Sequence, residues 1–93
     1  MRQITNEEEA KIVENLEGVP HRISYSGPAL FVHAKNRYII SRQNAKFAVE
    51  NDVSDPAWLK KVGMRQLGSP LYFFDSEEKV CEFIKEQEIL ASS

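Results

Sequence analysis

The chain is poor in the groups that carry most enzyme and metal chemistry. One cysteine among 93 residues means that no intrachain disulfide can staple it. A disulfide-free chain of this size is expected in a reducing compartment, so a cytoplasmic location is the expectation. Long apolar runs are also missing: Ala29–Val32 and Leu71–Phe74 stop at four residues, against the ~20 that a spanning helix needs. Three glutamates by position 9 are not expected in a secretory signal. No membrane association is anticipated.

Histidine is scarce as well. His21, His33 and Cys81 lie far apart, and no short spacing gathers them into a metal site. Gly27, Gly63 and Gly68 form no phosphate-cradling loop. Ser24 and Ser26 lack the glycines of a nucleophile elbow. Cys81 could meet His33 in space, but it sits beside Val80 on an apolar helical face. Such surroundings raise a thiol's pKa and suit a small buried hydrophobe better than a nucleophile. No metal, cofactor or catalytic residue is expected, and a small enzyme ranks third among the functional readings.

What is present is an ordinary globular composition, 42% hydrophobic and 28% charged, with enough apolar surface for one core. The net charge of −2 is unevenly spread: −3 over residues 1–17, +5 over 18–74 and −4 over 75–93. A basic middle lies between two acidic ends, and local potential rather than net charge steers association.

Thr5-Asn6-Glu7-Glu8 has the form of a capping box, followed by Ile12, Val13 and Leu16 at helical spacing and by Gly18. The pattern predicts a helix over 6–17. In His21–Ser26 the alternation of His21, Ile23 and Tyr25 with Arg22, Ser24 and Ser26 predicts a half-buried strand near a sheet edge. Ala29–Ser41 reads as a hairpin turning at Lys35-Asn36, which pairs Val32 with Ile39 and His33 with Tyr38. Both faces of that hairpin are apolar, so it should be central in the sheet with only its tip free.

Residues 42–51 carry mixed signals, and the spacing of Ala45, Ala48 and Val49 favours a helix. Asp55-Pro56 opens a second short helix ending at Gly63. Leu71–Phe74 reads as a buried strand, and Asp75–Glu78 caps a last helix over 76–89 with Val80, Phe83, Ile84 and Leu90 inward. The expected fold is a single α+β domain, 1–93, in the order α-β-β-β-α-α-β-α, around a mainly antiparallel sheet of three to four strands. Leu30, Val32, Ile39, Trp58, Phe73 and Phe83 are the expected core.

By elimination the leading reading is a non-enzymatic interaction module, a regulator, inhibitor or adaptor, that binds a partner protein. Its expected contact residues are Lys35, Asn36 and Arg37 at the hairpin tip, with Arg42 beside them, all exposed in this register. The alternative is nucleic-acid binding by Lys35, Arg37, Arg42 and Lys46 around the Tyr38 ring, extended by Lys60 and Lys61. It needs the acidic terminal helices to lie on the far side of the molecule from the phosphates. The two longer helices can cover about one sheet face, so a homodimer through the other face is as readily expected as a monomer.

Overall fold

The computed structural model describes residues 3–52 and 71–92. Helix α1 (Asn6–Asn15) starts at the expected capping box: the Glu8 amide donates to Thr5 Oγ1 at 3.2 Å and the Thr5 amide to Glu8 Oε1 at 2.9 Å. The helix is C-capped by Leu16, and Gly18 in the turn that follows has a φ of +90°, the left-handed geometry that glycine adopts without strain. Strands β1 (Arg22–Ser26) and β2 (Ala29–His33) follow, joined at Gly27, and then β3 (Arg37–Gln43), β4 (Lys46–Asp52) and β5 (Leu71–Phe74). Helix α2 (Glu77–Ala91) is capped by Ser76, which accepts from the Lys79 amide.

The strands form one antiparallel meander in the order β1-β2-β3-β4-β5. The α+β class and antiparallel sheet are as expected, with five strands rather than three to four. The hairpin is central, and β1 is an edge strand with the expected alternation.

The extra strand is β4, where a helix over 42–51 was anticipated. Asn44 and Ala45 both take positive φ, +51° and +66°, the signature of a tight hairpin turn that follows the sheet's own twist. Phe47-Ala48-Val49 then pairs with both β3 and β5. The short helix expected after Asp55, with Trp58, lies outside the described residues.

The hairpin register differs from the expected one by a single residue. His33 faces Arg37, Val32 faces Tyr38, Phe31 faces Ile39 and Leu30 faces Ile40. A three-residue loop closes it, with the Ala34 amide donating to the Asn36 carbonyl at 2.9 Å. A one-residue slip exchanges the faces of a strand. Tyr38 and Ile40 therefore join Leu30 and Val32 in the core, while Ile39 turns to the other face and is only half-buried.

The register puts Leu30, Val32, Tyr38, Ile40, Phe47 and Val49 on one sheet face, each at most 1% exposed. Against them pack Ile12 and Leu16 of α1 and Val80, Cys81 and Ile84 of α2. The two helices touch each other, and the Cys81 thiol donates to the Ile12 carbonyl at 3.4 Å. At ~1.5–3 kcal/mol for each large side chain buried, this layer is the main source of stability. Phe83 is half-buried, its ring 4.7 Å from Tyr72 and 5.3 Å from Phe74. Two expectations fail outright. Phe73 is 51% exposed and Leu90 60% exposed, because β5 ends the described sheet and α2 runs past its last contact with the core.

Candidate functional site

The loop at Lys35-Asn36 is held by α2. Glu88 accepts the amide of Lys35 at 2.8 Å, the amide of Asn36 at 3.1 Å and the hydroxyl of Tyr38 at 2.6 Å. Lys35 Nζ donates to Ser92 Oγ beside it. Burial, the Glu88 hydrogen bond and the Glu88 charge, in that order, push the Tyr38 hydroxyl far above its ordinary pKa of 10.0. Asn36 is half-buried rather than exposed, since its amide points into the carboxylate.

The basic residues expected to act together are separated. Arg37 and Arg42 lie five residues apart on β3, ~17 Å at 3.4 Å per residue, and on opposite faces. Arg37 is exposed on the face away from the helices, its guanidinium 5.9 Å from the Phe31 ring. Arg42 is half-buried on the helix side, where it pairs with Glu8 at 3.0 Å and lies 4.3 Å over Phe47. Its expected exposure is thus not observed, because β3 points it at α1. Lys46 pairs with Asp75 at 3.4 Å. Tyr38 is fully buried and offers no ring to a base. Lys60 and Lys61 lie outside the described residues.

The other sheet face is the one that the two longer helices are expected to leave uncovered, though the residues that line it depend on the register. Its rows follow from the register: Ser24, Phe31, Ile39, Glu50 and Leu71 lie in line, and Ser41, Ala48 and Phe73 form the next row. Leu71 is 47% and Phe73 51% exposed, while Phe31 and Ile39 are half-buried. At the corner, Arg22 faces His33 and His33 faces Arg37. Ser24 Oγ lies 2.7 Å from His33 Nε2. The strand alternation puts Arg22 and Ser24 on the wet side of β1, but the pairing of His33 with Arg37 depends on the β2–β3 register that the expected turn misplaces.

Cys81 is buried, and desolvation raises its thiol from 9.0 to about 11. Among the described residues no group of three or more His, Cys, Asp or Glu could hold a metal ion. No helix among them is long and apolar enough to cross a membrane. No protein-family model matches the chain, and neither a curated protein nor a solved structure matches it.

Proposed function

We propose that the chain is a non-enzymatic interaction module that binds a partner protein through the sheet face opposite its helices, with the 34–36 loop at the margin. The observation that carries this reading is the pair Leu71 and Phe73, 47% and 51% exposed on that face and continued inward by Phe31 and Ile39. Aromatic side chains such as Phe are enriched at the cores of protein interfaces, and a contiguous exposed apolar patch marks such a surface. Both described helices are committed to the other face, so binding here would leave the core undisturbed. A reducing, cytoplasmic setting suits the buried thiol of Cys81.

The test compares the chain with a Leu71→Lys/Phe73→Lys variant as immobilised bait, read by quantitative mass spectrometry. Far-UV circular dichroism of the variant serves as the folding control. A partner retained by the parent and by Lys35→Ser, and lost by the double variant, is expected. Sedimentation at tens of micromolar covers the case in which that partner is a second copy, and the double variant should then run at the 10.7 kDa of one chain. Equal capture by parent and double variant would overturn the reading. So would purified protein whose 260/280 nm ratio falls on a high-salt wash, which would turn the function toward nucleic acid.

A further inference from the structure

We infer that the corner formed by Arg22, Ser24, His33 and Arg37 is an oxyanion site that takes one phosphoryl group of the partner, an inference that rests on the sheet-face reading above. Arg22, His33 and Arg37 stand directly opposite one another across β1, β2 and β3. Opposed side chains of an antiparallel pair have their Cβ atoms ~4.5–5.5 Å apart. Two arginines thus stand on either side of one histidine on a single face, so an anion bound among them would meet donors from three adjacent strands.

The donors are ordered. Ser24 Oγ and His33 Nε2 share a hydrogen bond at 2.7 Å. If the serine donates, Nδ1–H of the imidazole is the second donor; if Nε2–H donates, the serine proton is released toward a ligand. The Phe31 ring lies 6.1 Å from the His33 ring and 5.9 Å from the Arg37 guanidinium. It forms an apolar platform that holds the guanidinium against the sheet. A guanidinium has five N–H donors in a fork, so Arg37 can keep another contact and still reach an oxyanion.

Charge sets both the sign and the size of the ligand. The acidic helices α1 and α2 pack on the far face, so their carboxylates do not front this corner. On the near face, Glu50 occupies the β4 position opposite Ile39. Glu50 stands on the inner side of the basic corner, and a chain of phosphates continuing along that row across β4 would meet it. One compact dianion fits; a polyanion does not. The neighbouring Phe31, Ile39, Leu71 and Phe73 suit apolar residues flanking a phosphorylated side chain in a protein segment.

The experiment is a titration of the full ¹⁵N-labelled chain with inorganic phosphate at constant ionic strength, with chloride as the reference. N-acetyl-O-phosphoserine amide and a twelve-residue oligothymidylate are run in parallel. Saturable amide shifts confined to residues 22–24, 31–33 and 37, with a millimolar midpoint for phosphate and a similar or tighter one for the phosphoserine amide, are the expected result. Arg22→Gln, at an exposed edge position, should weaken the midpoint at least fivefold, while Lys46→Gln should leave it unchanged. Shifts spread over all basic residues and indifferent to Arg22→Gln would overturn the site. Oligothymidylate binding more than tenfold tighter than phosphate, with shifts reaching Lys46, would overturn the single-group reading in favour of nucleic acid. Partner capture by the Leu71→Lys/Phe73→Lys variant reports on the face and this titration on the corner, so the two readings fail separately.

Discussion

Glu88 joins helix α2 to the β2–β3 loop, and the cost of removing it can be worked from its three partners. Glu88→Ala leaves the Tyr38 hydroxyl, on a fully buried side chain, without its 2.6 Å acceptor. An orphaned buried donor costs ~1–3 kcal/mol. The Lys35 and Asn36 amides lie near the rim and can turn to water, so each adds only ~0.5 kcal/mol. The sum is about 2–4 kcal/mol, against a total of ~5–14 kcal/mol for a domain of this length. Tyr38→Phe should cost less, ~1–2 kcal/mol, since the carboxylate keeps its two amides. Because the two residues share one hydrogen bond, the double variant should fall short of additivity by ~1–2 kcal/mol. Urea unfolding followed by far-UV circular dichroism gives all four corners of the cycle. The raised Tyr38 pKa adds a second readout. Folding favours the protonated phenol, so this contribution is complete below pH 10.0 and is lost as pH rises above it, where the unfolded chain ionises. The native chain at pH 11 should therefore show the 295 nm phenolate absorbance of fewer than its three tyrosines, the remainder arriving with unfolding. A Glu88→Ala variant within ~0.5 kcal/mol of the parent, or strict additivity in the cycle, would refute the reasoning.

Three further outcomes can be measured on the same material. Ala45→Gly should stabilise the chain by ~0.5–1 kcal/mol in urea, because a non-glycine residue at φ +66° carries left-handed strain that outweighs the added backbone entropy; a loss of stability would remove the strained turn. Ile84→Ala should cost ~2–5 kcal/mol and Phe73→Ala only ~1 kcal/mol, since the first is 0% and the second 51% exposed; similar losses would mean that the sheet faces are exchanged. With its thiol held up at about 11 by burial, Cys81 should resist a disulfide reagent at pH 8 until the chain unfolds. The same shift contributes stability below pH 9 that is lost as pH rises through 11; native-state labelling at the rate of a free thiol would contradict the buried placement.

The parts of the fold legible in sequence were those fixed by local chemistry. Thr5 with Glu8, the alternation through Tyr25, and Ser76 before Glu77 each signal an element by side chain–backbone bonding or by periodicity within a few residues. What escaped was set at a distance. The loop at 34–36 takes three residues because Glu88, some fifty positions along the chain, accepts two of its amides, and no local rule distinguishes that loop from a two-residue turn. The turn before β4 was hidden because Ala45 stands where glycine would have announced a positive φ. Leu71–Phe74 is apolar throughout, so its sequence gives no sign of which residues face water. Only its place at the end of the described sheet decides that Leu71 and Phe73 are exposed. The corner around His33 needed the true register, and the expected one had paired His33 with Tyr38.

The central claim is that the face carrying Leu71 and Phe73 is the binding surface. Hydroxyl-radical footprinting of the chain, free and bound to the partner it captures, tests that most directly, because it reads side-chain exposure residue by residue. Protection on binding should fall on Leu71, Phe73, Phe31 and Ile39, with the outer faces of α1 and α2 unchanged. Protection confined to exposed helix residues such as Val13, Ile89 and Leu90, with Leu71 and Phe73 oxidised as in the free chain, would contradict it.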